Sequence, residues 1–322
     1  MTSAADTAAM RLPRATDRSL AVAAVAMIAC LIAAPFVLYP VFLMKALCFA
    51  VFACAFNLLI GYGGLLSFGH ALYFGWASYL AAYAAKSWGL PPELAILIGT
   101  ATAAMLGVIA GAIAIRRQGI YFAMITLALA QMMYLVALRV KLTGGEDGIQ
   151  DVPRGHLFGT FDLNNETTMY VFVLVVVLAA FFLIYRIINS PFGEVLKAIR
   201  ENEQRAVSLG YRTDRYKLIA FVLSAALAGL AGSLKTIVFQ LASLTDVDWT
   251  MSGEVVLMTL VGGLGTVFGP VVGAFFIVAM ENYLAPFGQW VLVIQGAIFV
   301  VCVLVFRRGI IGELAHWLRV RL

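Results

Sequence analysis

Charge is the scarcest commodity in this chain of 322 residues. Asp, Glu, Lys and Arg together make up 12% of it, against about a quarter in an ordinary soluble domain. Hydrophobic residues make up 63%. Such a chain cannot clothe a water-facing surface, and it reads as an all-α integral membrane protein, because an open sheet would leave backbone groups unpaired in lipid. Cysteine is sparse as well: Cys30, Cys48, Cys54 and Cys302 lie singly in apolar runs, with neither a paired framework nor metal-ligand spacing. His70, His156 and His316 are scattered, and no His-Glu-x-x-His motif is present. No metal, catalytic centre or nucleic-acid partner is expected, so the chain reads as a non-enzyme. The phosphate loop G-x-x-x-x-G-K-[ST] is missing too, which excludes ATP binding by that device. A carrier driven by protons or sodium would need acids at mid-span. Here Glu93, Glu254 and Glu281 all fall near span ends.

What the chain does have is hydrophobic length. Crossing about 30 Å of hydrocarbon takes about 20 apolar residues in a helix. Runs of that order occupy roughly 20–38, 41–60, 67–85, 94–115, 118–138, 169–186 and 217–240, followed by a glycine-broken stretch at 253–284 and a run at 287–306. The polar residues 1–19 precede an uncharged run from Leu20 to Met44 that lacks an obvious cleavage site, so it reads as a first span rather than a signal peptide. With the N-terminus inside, sixteen of the 22 basic residues fall on the cytoplasmic side, from Arg11, Arg14 and Arg18 to Arg307, Arg308, Arg319 and Arg321. Lys45, Lys86, Arg139, Lys141, Arg154 and Lys235 lie on or near the other side. This bias is the positive-inside pattern. It divides the chain into a cytoplasmic tail at 1–19, one transmembrane domain at 20–306 and a cytoplasmic tail at 307–322. An odd number of crossings is needed between 253 and 306. Three give ten spans in all, the preferred count; a re-entrant loop plus one crossing gives eight. Lys45 and Lys235, near outer span ends, either snorkel to the headgroups or contact cargo.

Glycine breaks two of the runs, at Gly61-Tyr62-Gly63-Gly64-Leu65-Leu66-Ser67-Phe68-Gly69 and at Gly262-Gly263-Leu264-Gly265-Thr266-Val267-Phe268-Gly269-Pro270. Paired interruptions of this kind point to a transport path, and equally serve as packing notches between helices. On the first reading Asn57, Gly61, Gly63, Gly64, Ser67, Phe68, Gly69, Thr126, Gly262, Gly263, Gly265 and Thr266 line the path. Thr126 and Gln131 point about 140° apart on one helix, so both cannot face one narrow path. A third cluster, Thr143-Gly144-Gly145-Glu146-Asp147-Gly148, opens the outer loop as a solvated turn or as a docking surface.

The one long polar interruption, 189–216, begins with Ser190 as an N-cap and Pro191 at the first helical position. Phe192, Val195, Leu196 and Ile199 follow at helical spacing and predict one amphipathic helix, which Gly210 can end in a left-handed cap. Its charges are mixed in sign. That favours a protein partner over a bilayer surface, which selects a basic face.

Taken together, Ser190-Pro191-Phe192-Gly193, Ala198-Ile199-Arg200-Glu201-Asn202-Glu203 and Leu209-Gly210 resemble the coupling segment of permeases in branched-chain amino acid ABC importers of the Liv type. Gly119 to Ala128, Thr143 to Gly148, the two glycine breaks and Ala226 to Gly232 extend the resemblance, in family order, from about Asn57 to Gly273. The chain is more similar to the larger of the two homologous permeases. The resemblance implies a ten-helix fold similar to the vitamin B12 importer class and a multi-pass protein of the bacterial inner membrane. It implies as partners a second homologous permease, two cytoplasmic ABC ATPases that hold the ATP and Mg, and a periplasmic substrate-binding protein. No cofactor is expected in this chain. Ser190, Pro191, Phe192, Gly193, Ala198, Ile199, Arg200, Glu201, Asn202, Leu209 and Gly210 would meet the ATPase, and Thr143, Gly144, Gly145, Glu146, Asp147 and Gly148 the binding protein. Cargo would be branched-chain or other hydrophobic amino acids; the same machinery could carry urea, amides, aromatic acids or sugars, and a stand-alone secondary transporter is the rival class.

Overall fold

Proline marks the start of helix after helix in this chain, where its missing N–H costs nothing and its fixed φ suits the first turn. Pro40, Pro92, Pro191 and Pro270 all sit in the first two positions of helices. The computed structural model describes residues 16–36, 38–306 and 309–317. Most of the two tails, with Arg11, Arg14, Arg307, Arg308, Arg319 and Arg321, lies outside the described residues.

The helices are α1 (Thr16–Ala33), α2 (Pro40–Asn57), α3 (His70–Ser87), α4 (Pro92–Ala114) and α5 (Ile120–Arg139). Helix α2 passes into a π-helical turn at Leu58–Tyr62. A loop then carries a small antiparallel hairpin, β1 (His156–Leu157) and β2 (Phe161–Asp162), with His156 opposite Asp162. After it come α6 (Glu166–Ile188), α7 (Pro191–Glu201), α8 (Glu203–Ser208), α9 (Thr213–Phe239), α10 (Trp249–Gly262), α11 (Gly269–Leu284), α12 (Val291–Val305) and α13 (Gly309–Trp317).

Among the described residues, five helices are long and apolar enough to cross a membrane: α2 with its π turn, α4, α5, α6 and α9. The stretch after Trp249 forms three shorter helices, of 14, 16 and 15 residues. At about 1.5 Å per residue these run to about 21–24 Å.

The expectation of a single amphipathic helix at 190–210 needs correction. Asn202 adopts an extended conformation (φ −156°, ψ 98°), and its side chain accepts from the Arg205 N–H at 3.0 Å, so it ends α7 and caps α8. Asparagine bonds nearby backbone readily, which is why it favours caps over helix interiors. Gly210, at φ +87°, does stand just beyond the last turn, as expected.

Helix α2 is apolar apart from Lys45 and Asn57, and nearly every residue from Leu43 to Leu59 is buried. A helix hydrophobic all round belongs in the interior, and α2 packs against α6, α9, α10 and α11. Helix α9 packs against α3 and α4 through small residues. A Cβ on Gly229 would press on Ala103 and Ala77, and one on Gly232 would run into the Phe74 carbonyl. Without a hydrophobic drive between helices in lipid, such backbone proximity supplies the packing.

Two lysines inside the bundle are paired with acids. Lys45 meets Glu281 at 3.0 Å, and Lys235 holds both oxygens of Asp246 at 2.5 and 2.7 Å. The Lys235 and Asp246 side chains are 13% and 2% exposed, so Lys235 does not snorkel to the surface. Sequence hydropathy shows a lone lysine near a span end; it does not show the acid folded back over it.

Helices α10 and α11 lie backbone to backbone. A Cβ on Gly273 would stand 2.8 Å from the Gly262 nitrogen and closer still to the Met258 carbonyl. Gly273→Val should therefore force the pair apart and cost about 2 kcal/mol or more. It should lower the melting temperature of the purified protein in detergent by several degrees; an unchanged melt would mean that the helices separate freely here.

Candidate functional site

The polar interruption folds into a platform, α7 and α8, seated on one end of the bundle. Ser190 caps α7 by accepting from the Gly193 N–H at 3.3 Å. Gly193 lies so close to the Ile188 carbonyl that a side chain there would collide with it. The face of α7 expected to be apolar is the one that turns inward. Leu196 and Ile199 are buried, while Phe192 and Val195 are half-buried. Leu196 packs 3.7 Å from the Cβ position of Gly63, and the Phe192 ring stacks on Tyr216 with centroids 5.7 Å apart. A helix of eleven residues is not stable alone in water; here its own bundle supplies the surface.

The two glycine breaks, some 200 residues apart in the chain, meet beneath this platform. Asn57, 3% exposed, joins them with both ends of its amide. Its Nδ2 donates to the Thr266 carbonyl at 2.9 Å, and its Oδ1 accepts from the Gly265 N–H at 3.0 Å. Arg200 of α7 donates to the Gly61 carbonyl. Gly64 and Gly265 hold left-handed φ values of +69° and +75°, and the Arg200 side chain crosses both, a conformation that only glycine adopts freely. The breaks are thus mutually satisfied backbone where helices end, with α7 laid across them.

Helix α8 is fixed by charge. Glu203 receives Lys217 of α9 at 2.5 Å on one oxygen and the amide of Gln118, from the α4–α5 connection, at 2.7 Å on the other. Lys217 is 3% exposed. A buried lysine demands such a partner. The platform therefore grips α2 and the α10–α11 turn through Arg200, α9 through Lys217, and the α4–α5 connection through Gln118.

The outward face keeps the mixed charge. Glu194 bonds Lys197 at 2.8 Å, and Lys197 also lies 5.9 Å from the Tyr62 ring centroid. Ala198, Arg200, Glu201, Asn202 and Gly210 are exposed, as are the apolar Val207, Leu209 and Tyr211 at 54%, 71% and 41%. Of the residues expected to meet a partner, Ile199 and Gly193 are buried against the bundle.

Of the remaining residues singled out, Ser67 is buried and its hydroxyl accepts from the Gly69 N–H at 3.2 Å. Thr126 is buried, donates to Ala123 at 2.8 Å and accepts from the Phe68 N–H at 3.2 Å. A Cβ on Gly69 would stand 2.7 Å from the Thr126 carbonyl, so α3 and α5 touch there. Gly262, Gly263 and Gly269 form the close α10–α11 turn, where Thr266 donates to Gly263 at 2.8 Å.

The loop cluster lies at the opposite end of the bundle. Thr143 is buried, its hydroxyl donating to the Ala137 and Val140 carbonyls. Gly144, Glu146 and Asp147 are exposed. Ile149 and Ala242 exchange backbone hydrogen bonds at 2.9 Å, and Arg154 donates to Val238 at 2.8 Å, so the loop is pinned to the end of α9. At the hairpin, the backbone N–H and side-chain amide of Asn164 hold the Asp162 carboxyl below the usual carboxylate range.

Sequence reasoning missed the Glu203–Lys217 and Arg200–Gly61 contacts. Only Lys217 carried a signal, as a lysine at the very edge of an apolar run.

Comparison with known proteins gives a family model described as "Branched-chain amino acid transport system / permease component", matching residues 38–303. Among curated proteins, the chain is 26% identical over 286 residues to the high-affinity branched-chain amino acid transport system permease protein LivM of Escherichia coli K12, covering 82% of this chain and 67% of that one. It is 28% identical over 169 residues to the probable branched-chain amino acid transport permease protein LivH of Methanocaldococcus jannaschii, covering 48% and 51%. Against the autoinducer 2 import system permease protein LsrC of Photorhabdus laumondii it is 33% identical over 99 residues, covering 29% and 30%. No solved structure matches significantly.

The geometry of α8 makes a stability prediction. Lys217→Ala strands Glu203 in a half-buried site and should destabilise the protein by about 3 kcal/mol. Lys217→Met combined with Glu203→Met should recover most of that loss. Melting of the two variants in detergent checks the pair; equal losses would mean that the ion pair is not what fixes α8.

Proposed function

We infer the function from a premise that the family match establishes: this chain belongs to the branched-chain amino acid transport permeases of the Liv type. It is a helical, multi-pass membrane protein and an ABC permease subunit. Beyond that, we propose that it forms half of the translocation path of an ATP-driven importer in the bacterial inner membrane. Its cargo is branched-chain or other hydrophobic amino acids. A homologous second permease supplies the other half, two cytoplasmic ABC ATPases drive it, and a periplasmic binding protein delivers to the end that carries Gly144–Gly148. The proposed threading has ten spans with both termini cytoplasmic, in the manner of the vitamin B12 importers. The LivM alignment covers 82% of this chain and the LsrC alignment 29%, which supports the branched-chain cargo over autoinducer 2.

One observation carries the proposal. The α7–α8 platform turns its apolar face to its own bundle and presents mixed charge outward, while gripping four separate regions of that bundle. A force on the platform is therefore delivered to α2, α9, α10 and the α4–α5 connection together. No catalytic group is needed. ATP-driven ATPases pressing on a rigid contact can shift the bundle between outward and inward access, since differential contact is what moves such an equilibrium.

Because Ile199 is buried, changing it tests docking of α7 rather than contact with a partner. The exposed acids are the better probe. Reversing both, Glu194→Arg with Glu201→Arg, should lower ATP-dependent leucine uptake by the assembled transporter at least about tenfold. The melting temperature of the chain should stay within about 2 °C, as exposed pairs contribute little. Co-purification of the ATPases should fall in parallel. Full uptake with full co-purification would remove α7 from the coupling role.

A further inference from the structure

The loop between α5 and α6 displays two aromatic rings beyond the ends of the helices. Phe158 and Phe161, on the β1–β2 hairpin, are 74% and 60% exposed. The turn that carries Phe158 is built against its own preference. The Thr160 N–H donates to the Leu157 carbonyl at 3.1 Å, and the two residues between them, Phe158 and Gly159, stand at φ +50° and +71°. Two left-handed residues in a row are the place for Asn-Gly, and a bulky side chain there crowds its own backbone. The fold of this chain offers no compensation, because the ring is mostly uncovered among the described residues. A local rule broken without a gain inside the chain points to something outside it.

The hairpin has two unlike faces. Leu157 stands opposite Phe161 and His156 opposite Asp162, and residues paired across strands share a face. One face is therefore apolar, while the other carries His156 and Asp162, 4.0 Å apart. Leu157 is half-buried against the core and β1 lies against α4, so the apolar face is the one turned toward α4.

The height of the hairpin is fixed as well. The Phe158 N–H donates to the Glu93 carboxylate at 3.3 Å, and the Cβ position of Gly155 lies 3.4 Å from the Pro92 ring. Below the strands, Val152 and Leu163 are buried, and the Leu163 N–H donates to the Gly155 carbonyl at 3.3 Å. Pro92 and Glu93 open α4, one of the helices long and apolar enough to span. Its exposed residues are apolar from Leu94 and Leu97 onward, so its lipid-facing surface begins there. The Phe158 backbone thus stands one side-chain length from that boundary. Trp88, exposed at the end of α3, lies beside the same boundary, and tryptophan is the residue type that favours the membrane–water interface.

We propose that the β1–β2 hairpin is an interfacial anchor: Phe158 and Phe161 enter the boundary between headgroups and acyl chains in the leaflet opposite the α7–α8 platform, while His156 and Asp162 stay in water. The rings gain by leaving water, and the polar face keeps its hydration. A lipid surface fits better than a soluble protein, because the rings stand where the lipid-facing surface of α4 begins. Their face also carries no charge for a protein partner to match. The loop from α5 to α6 is then held at two places, by the end of α9 and by the bilayer. This inference goes beyond the transport reading and rests on the multi-pass fold alone.

The test uses the complete transporter in nanodiscs of phosphatidylethanolamine and phosphatidylglycerol. Cys30→Ala, Cys302→Ala and the matching changes in the other subunits remove reactive thiols; Cys48 and Cys54 are buried. Thr160→Cys, at the exposed tip between the two rings, then carries a nitroxide. Electron paramagnetic resonance compares its collisions with oxygen, which concentrates in lipid, and with a nickel chelate, which stays in water. Oxygen collisions should dominate. Phe158→Asn combined with Phe161→Thr should reverse that order. The melting temperature of this variant should stay within about 2 °C of the parent, because neither ring supports the fold and asparagine suits the turn.

Collisions dominated by the nickel chelate with both rings present would overturn the proposal, and so would oxygen dominance that persists without them. Scant collision with either reagent would assign the rings to a neighbouring subunit or, if it arises only on adding the binding protein, to that protein. Either result rejects the bilayer as their partner. Should the double variant fail to fold, the measurement with both rings in place decides by itself. Cargo import does not enter the readout, so failure here leaves the transport reading standing, and the reverse holds too.

Discussion

Backbone satisfaction at helix breaks governs this molecule. A helix that ends within or at the edge of a bilayer leaves donors and acceptors that lipid cannot serve. The amide of Asn57 solves this for two breaks at once, its oxygen taking the Gly265 N–H and its nitrogen serving the Thr266 carbonyl. The Gly61 carbonyl, freed by the π turn that follows α2, is taken by Arg200. The seat of α7 is therefore made of backbone groups that need it. Remove Asn57 and both glycine turns lose their register; remove Arg200 and α7 loses its polar tie. The apolar contacts of Leu196 and Ile199 hold the helix down, but the hydrogen bonds fix where it sits.

The sequence left two readings open for the glycines, and the structure shows the packing contacts of one of them. Paired interruptions can mark a path or a packing junction. In the fold they are a junction: close backbone approach at Gly61, Gly262, Gly269 and Gly273, and left-handed turns at Gly64 and Gly265. Their place beneath α7 gives them a role in transmitting motion, whatever else passes near them.

The helical pattern was legible because hydrophobic length is a local property. So were the caps: proline at helix starts, Ser190 before α7 and Gly210 after α8 all follow from rules about neighbouring residues. The inward face of α7 was legible from spacing alone. The break at Asn202 was not, because asparagine inside an amphipathic pattern is tolerated as readily as it caps. Nor were the ion pairs. Glu203 and Lys217 are separated by a turn, Lys45 and Glu281 by most of the chain, and nothing local says which charges converge. Sequence hydropathy treats Lys235 as a lone cation near a surface, whereas burial beside Asp246 makes it half of a neutral pair. The burial of Ile199 and Gly193 was not legible from the motif, which marks a segment and does not say which of its faces is turned inward.

Helix α9 joins the two ends of the molecule. It runs unbroken for 27 residues from Thr213 to Phe239, about 40 Å, with Lys217 tied to α8 near its start and Lys235 tied to Asp246 near its finish. Its second half carries Gly229 and Gly232, where its backbone comes close to α3 and α4. A stiff rod held off-centre and gripped on both sides of the hold behaves as a lever with one long arm and one short one. A tilt of about 10° about that point would carry the Lys217 position about 3–4 Å and the Lys235 position about 1 Å the opposite way, far enough to pull open the pair with Glu203 while leaving that with Asp246 nearly in place. Side-chain volume at Gly229 and Gly232 would then set the ease of rocking, and these two small residues would govern the pace of the machine without touching fuel or freight.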